Sequence, residues 1–187
     1  MTQIKPIYFI ALIIVLLFVI FIKVSNPYRQ YSTSSFWEDA DVASVAEIPD
    51  EALALGNRNG PVLMWAAIGS SDPMIFTALA NRGADINESD GIFKGTPLTA
   101  AAGYTKNPEI LTTLVNLGAD IHKTVNNDEN ALMIAAQYNK TPLVITTLIN
   151  LGTNVEKKNK QGKTALDLAI QNNNDNAINE LKSFTKQ

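Results

Sequence analysis

The chain has 187 residues, of which 46% are hydrophobic, and its formal net charge is −3 at pH 7. This length suits one compact domain with a segment left over, and the acidic balance gives no basic field that would attract nucleic acid. The chain has no cysteine, which excludes a disulfide framework, a thiolate metal site and a cysteine nucleophile. Its single histidine is His122.

The first segment of the chain is apolar. Residues 6–22 read PIYFIALIIVLLFVIFI without a charge, between Lys5 and Lys23. As a helix this run would rise about 25 Å, which is close to the lower limit for spanning a hydrocarbon core. A cleaved signal peptide is the alternative, but no Ala-x-Ala site follows the run. The sequence therefore predicts a transmembrane signal anchor over residues 6–24, followed by a polar tether over residues 25–44.

The orientation of this anchor depends on its flanking charges. Lys5 and the amino terminus precede the span, and Lys23 and Arg29 follow it, so the positive-inside count is nearly tied. A short N-terminal tail before a long polar region is the usual layout of a signal anchor. We therefore expect a bacterial single-pass protein of the inner (plasma) membrane with its C-terminal domain in the periplasm. A domain that faces the cytoplasm is the alternative.

Two features recur in the rest of the chain with a period near 34 residues. An alanine-bearing segment, such as TPLTAAA at 96–102 and NALMIAA at 130–136, recurs with an alanine in register at Ala66, Ala101, Ala135 and Ala169. A second apolar segment follows an Asp, Asn or Thr and ends at Gly83, Gly118 and Gly152. Asp, Asn and Thr are favoured at the N-cap of a helix, and glycine is favoured at its C-terminal end. Because both segments recur with the same period, the sequence indicates stacked helical repeats. The small alanine side chains allow the helices of neighbouring repeats to pack closely.

The repeated unit resembles the ankyrin repeat family. GKTALDLA at 162–169, TPLTAAA and two Gly-Ala-Asp-Ile segments carry the resemblance, which covers about two thirds of the chain. The family's Thr-Pro is degraded in two units, and its first-helix histidine is absent. The resemblance implies an all-α fold, an α-solenoid of about four helix-turn-helix repeats with projecting β-turn fingers. We place this domain at residues 45–187, with repeats near 57–89, 90–124, 125–158 and 159–187.

The resemblance also implies a non-catalytic module that binds a protein partner through its fingers and concave face. It implies no cofactor, no metal and no small-molecule substrate. The candidate contacts are charged and polar finger residues together with aromatic residues, which dominate binding energy in interfaces: Glu88, Asp90, Phe93, Lys94, Tyr104, Lys123, Asn127, Tyr138, Lys158 and Lys160. We interpret His122, Asp85 and Asp120 as residues that order the turns.

Three classes of function stay open at this point. The first is a membrane-anchored binder that inhibits its partner, for example an immunity protein against a toxic enzyme that acts on the cell envelope, such as a phospholipase. The second is an envelope stress or scaffold protein with several weak partners, or a cytoplasm-facing membrane-tethered regulator. The third is an enzyme hidden in the array, which the single histidine and the missing Gly-rich phosphate loop disfavour.

Overall fold

The structure is a computed structural model that describes residues 28–54, 61–90 and 94–185, without the side chains of Arg29 and Ala54. The predicted span at 6–24 and the candidate contact Phe93 lie outside these residues. Among the described residues, no helix is both long enough and apolar enough to cross a membrane. All packing considered below lies within one compact unit, Tyr31–Gln187.

The described part of the chain is built from helices. After a short 3-10 helix, Arg29–Ser32, come three short helices, α1 (Ser34–Glu38), α2 (Val42–Ala46) and α3 (Asp50–Ala54). Four longer pairs follow: α4 (Val62–Gly69) and α5 (Pro73–Asn81), α6 (Pro97–Tyr104) and α7 (Glu109–Asn116), α8 (Ala131–Tyr138) and α9 (Pro142–Asn150), α10 (Ala165–Gln171) and α11 (Asp175–Thr185). We number these pairs repeats 1 to 4. Over residues 28–54, 61–90 and 94–185 the chain forms no strand, which supports the predicted all-α class.

The caps predicted for the second helices are confirmed only in part. The Asp72 side chain accepts a hydrogen bond from Met74 N at 2.9 Å at the start of α5, whereas Asp175, also predicted as a cap, is the first residue of α11 itself. The first helices α6 and α10 begin at capping boxes that were not predicted, formed by Thr96 and Thr164. Thr141, also predicted as a cap, makes no side-chain cap bond. The glycines that end the second helices have φ of 90°, 99° and 96°, which glycine adopts without strain.

The alanines form the stacking face, as predicted. Ala66, Ala101, Ala135 and Ala169 are fully buried, and the first helices α4, α6, α8 and α10 contact one another in succession. The second helices α5, α7, α9 and α11 pack in a parallel row. Small side chains on the first helices allow this approach, because a larger residue would force the repeats apart.

The N-terminal helices extend the stack by one layer. Helix α1 packs on α4 and α2 packs on α5, which are the positions that a preceding repeat would occupy. Trp37 of α1 is fully buried, and its Nε1 donates to Tyr31 O at 3.0 Å. In the described part of the segment 25–44, the chain thus forms packed helices where the sequence predicted a polar tether. Two helices of five residues are too short to show a period, and one large side chain holds α1 in place.

Buried asparagines join the later repeats. Asn139, which follows α8, donates its amide protons to Ala102 O at 3.0 Å and Thr105 O at 2.9 Å in repeat 2. Asn174, which follows α10, donates to Ala136 O at 3.0 Å and to Asn139 O at 2.7 Å. These bonds satisfy carbonyl groups at the ends of the first helices, which would otherwise lack partners. We call this set the asparagine ladder, and sequence reasoning did not find it.

Candidate functional site

A groove of about 500 Å³ runs along the first helices of repeats 1 to 3. Its lining is largely apolar and includes Met64 of α4, Ile134 of α8 and Val125 from the loop before α8. Carboxylates lie at its edge in Asp90 and Glu129. Ligand and peptide sites in proteins have this character, an apolar surface with a few polar groups that fix orientation.

Two candidate contacts meet at this groove. Tyr104 ends α6 and Tyr138 ends α8, and their rings are stacked with centroids 6.5 Å apart and planes 15° from parallel. They are 56% and 53% exposed, so each presents a large apolar surface to solvent. Exposed aromatic rings beside an apolar groove are typical of residues that contribute most of the energy in protein interfaces.

A second groove of about 410 Å³ lies among the fingers. We define finger 1 as residues 84–96, finger 2 as 119–130 and finger 3 as 153–164. Four predicted contacts line this groove, together with His122, Asp120 and Asp128: Lys94, Lys123, Asn127 and Lys160. The two grooves share Val125 and Asn126. They therefore form one surface, with apolar and aromatic groups on one side and lysines on the other.

Finger 2 is held in a tight turn. Asn127 and Asp128 have φ of 72° and 63°, a region that asparagine and aspartate tolerate better than most residues, and Val125 N donates to Glu129 O at 2.9 Å. A hydrogen bond from Thr124, followed by the bond and charge of Lys157, lowers the pKa of the Asp128 carboxyl. Asp128 therefore stays ionised at neutral pH and holds Lys157 with a 3.3 Å contact.

Asn127 joins two fingers. Its amide donates to Glu129 Oε1 at 2.9 Å and to Gln161 Oε1 of finger 3, and its carbonyl accepts from Lys160 N at 3.0 Å. The side chain predicted as a contact is thus engaged within the protein. Its role in binding a partner stays a prediction, since it lines the finger groove at the same time.

The remaining candidates lie apart from both grooves. Glu88 is half-buried in finger 1, where burial and then the charge of Asp85 raise the pKa of its carboxyl. Lys158 is exposed on finger 3. Asp85 and Asp120 accept hydrogen bonds from Asn87 N and His122 N, both at 2.9 Å, and thus act in the turns as interpreted. In the described part of the chain, no group of three or more His, Asp or Glu side chains could hold a metal ion.

Comparison with known families agrees with this architecture. Residues 98–186 match the family model described as ankyrin repeats in three copies. This segment is similar to ankyrin repeats. Repeat 1 precedes the matched residues, yet α4 and α5 pack against the matched repeats that follow in the same two rows. Ankyrin repeat domains are generally non-catalytic protein-interaction modules. No curated protein matches the chain.

Proposed function

We propose that this chain is a membrane-anchored protein-binding module that inhibits its partner. The stacked pair Tyr104 and Tyr138, exposed beside an apolar groove, is the observation that carries the binding proposal. A partner that covers both rings removes a large apolar area from water, and this contributes about 25 cal/mol per Å². The lysines of the adjoining finger groove fix the orientation of an acidic partner surface and raise its association rate.

The location and the inhibitory role rest on the sequence. The uncharged run at residues 6–22 is long enough for a signal anchor, and we place the binding domain in the periplasm. A membrane anchor joined to a binding surface suits an immunity protein that blocks a toxic enzyme acting on the cell envelope. An inhibitor of this kind needs a tight, single partner, whereas an envelope scaffold would have several weak ones.

The double variant Tyr104→Ala, Tyr138→Ala is expected to lose the partner. Truncation of one interface hot spot costs about 2 kcal/mol or more, which corresponds to a fall in affinity of about 30-fold for each ring. Both rings are exposed, so the fold should persist. The measurement is the amount of each protein that co-purifies with the tagged full chain from membranes, followed by titration of the partner identified.

A matched control for this variant lies on the opposite row of helices. Leu143 of α9 is 63% exposed and lines neither groove, so Leu143→Ala removes exposed apolar area elsewhere. Wild type and Leu143→Ala should retain the same protein, and the double tyrosine variant should not. If all three chains retain the same proteins in equal amounts, the groove is not the binding face.

Topology tests the location directly. A reporter that is active only outside the cytoplasm, attached after Gln187, is expected to be active, and a cytoplasm-only reporter at the same site is expected to be silent. The reverse pattern would rule out an immunity protein for the periplasm. It would favour a cytoplasm-facing regulator tethered to the membrane.

A further inference from the structure

The groove along the first helices of repeats 1 to 3, which we call the apolar groove, carries charge of one sign only. Asp90 and Glu129 are acids, and no lysine, arginine or histidine is among the described residues that line it. The lysines line the adjoining finger groove instead. A cationic group would therefore meet only attracting charges in the walls of the apolar groove.

The Glu129 side chain reaches along α8. Its carboxylate Oε2 accepts a hydrogen bond from Gln137 Nε2 at 3.0 Å, and the same amide group donates to Met133 O at 3.2 Å. The carboxylate therefore lies beside the turn 133–137 of α8, the helix from which Ile134 and Tyr138 line the apolar groove. Glu129 is half-buried, and it lines this groove but not the finger groove.

Neutral groups hold this carboxylate in place. Its Oε1 accepts from Asn127 Nδ2 at 2.9 Å and from Asn159 Nδ2 at 3.2 Å, so three amides donate to the two oxygens. Among the described residues, no lysine or arginine forms an ion pair with Glu129. A carboxylate has about four acceptor positions. One position on Oε2 is therefore left for a further donor, and the negative charge is not matched by a cation.

The repeat pattern shows that the stack does not require an acid at this position. The residues equivalent to Glu129 are Gly60, Gly95 and Lys163, so the other three repeats form their first helices without one. The acid is present in the repeat whose first helix forms a wall of the apolar groove, where it adds a charge to an otherwise largely apolar surface.

The aromatic rings of the groove suit a cation of a particular kind. A cation over the face of a tyrosine ring is attracted by the π electrons, and the rings of Tyr104 and Tyr138 are more than half exposed. A guanidinium group stacks on aromatic faces, donates to carboxylates and is more weakly hydrated than an ammonium group. The methylene groups of an arginine also cover apolar surface while its head stays polar.

We propose that the apolar groove accepts an arginine side chain of the partner protein. The guanidinium donates to the remaining acceptor position on Glu129 Oε2, and the methylene groups lie against Tyr104 and Tyr138. This inference rests on the binding role proposed above for the groove, and it names the residue that the partner presents there. With the lysines of the finger groove, it describes a partner surface in which an arginine stands beside acidic residues.

Two small probes that differ in charge test the site without any partner. N-acetyl-arginine amide carries the guanidinium, and N-acetyl-citrulline amide has nearly the same shape without the charge. The full chain, in an uncharged detergent, is labelled with ¹³C on its tyrosine rings, and Tyr→Phe variants assign the signals.

The arginine probe is expected to shift the signals of Tyr104 and Tyr138 to saturation. It should leave the signal of Tyr31 unchanged, because that ring is only 7% exposed. The citrulline probe should shift none of them. Equal shifts with the two probes, or no saturating shift with the arginine probe, would overturn the proposal.

Variants with a matched loss of charge locate the site. Glu129→Gln keeps the size and removes the charge, and is expected to raise the Kd for the arginine probe at least about tenfold. Glu156 is exposed on finger 3 and lines neither groove, so Glu156→Gln should bind as the wild type does. Equal affinity of Glu129→Gln and the wild type would contradict the proposal. If circular dichroism shows that Glu129→Gln is unfolded, the two probes on the wild-type chain still decide.

The partner assay separates this inference from the proposed function. If the arginine probe does not bind and the variant Tyr104→Ala, Tyr138→Ala still loses the partner, the groove is the binding face and the arginine proposal is wrong. If the arginine probe binds and the double variant keeps the partner, the groove is not the binding face. The proposed function then fails, and with it the assignment of the arginine to the partner.

Discussion

Asn139→Ala is expected to lower the free energy of unfolding by about 3 kcal/mol. The buried amide donates to Ala102 O and Thr105 O, and its Oδ1 accepts from Thr141 N at 2.8 Å. Each of these bonds contributes about 1 kcal/mol, and buried groups that lose their partner without water replacing it add to the loss. Denaturant unfolding of the full chain in an uncharged detergent, followed by far-UV circular dichroism, measures the change.

Two further variants test the same contact. Asn172 is exposed and donates only to Leu168 O of its own helix, at 2.9 Å, so Asn172→Ala should change stability by less than about 0.5 kcal/mol. Asn139→Asp keeps the size but turns carboxylate oxygens toward two carbonyl groups, and should destabilise the fold at least as much as alanine does. An Asn139→Ala chain with the wild-type unfolding midpoint would show that the asparagine ladder does not stabilise the stack.

Trp37→Ala is expected to cost about 3–5 kcal/mol, the usual range for truncating a fully buried tryptophan. The indole is 0% exposed, and its removal leaves a cavity between α1 and α4 together with an unpaired carbonyl at Tyr31. We expect α1 and α2 to detach and the backbone amides of α4 and α5 to exchange faster. Hydrogen exchange read by mass spectrometry locates the change, and denaturant unfolding gives its size.

Glycines on the first helices test the contact between α1 and α4 from the α4 side, with a matched pair of variants. A Cβ at Gly69 of α4 would overlap Ser34 O and lie 2.9 Å from Trp37 Cβ, so Gly69→Ala should push α1 away. A Cβ at Gly103 of α6 meets only Ile134 Cγ2, at 3.2 Å, and the end of a side chain can move aside. Equal stability of Gly69→Ala and Gly103→Ala would contradict the close packing of α1 on the first repeat.

Features that recur at a fixed period could be predicted from the sequence. The alanine face, the glycine ends and the pair Tyr104 and Tyr138 each recur at 34 or 35 residues, and the structure places them as their spacing implies. Repetition made these positions visible, because stacked units place equivalent residues in equivalent surroundings.

Features that occur once, or with changing residue types, could not be predicted. The asparagine ladder occupies positions that hold Ser70 and Thr105 in the earlier repeats, so no single residue type marks it. Trp37 follows Phe36 in an otherwise polar segment without a period, which did not specify where the indole packs. Asn127 was predicted as a contact from its place in a finger, but its hydrogen bonds to a neighbouring finger depend on a turn geometry that local sequence does not specify.

The uneven distribution of the asparagine ladder has a mechanical consequence. Repeats 2 to 4 are joined by buried amides with two bonds each. From repeat 1 to repeat 2 the ladder position holds Thr105, and the side-chain amides that cross are exposed ones: Asn107 donates to Ser71 O and Asn87 to Gly118 O, both at 2.9 Å. A pull on the chain from its N-terminal side would therefore reach the contact without buried amides before the contacts that have them. The N-terminal helices and repeat 1 would then unfold in order, and repeats 2 to 4 would resist the force together.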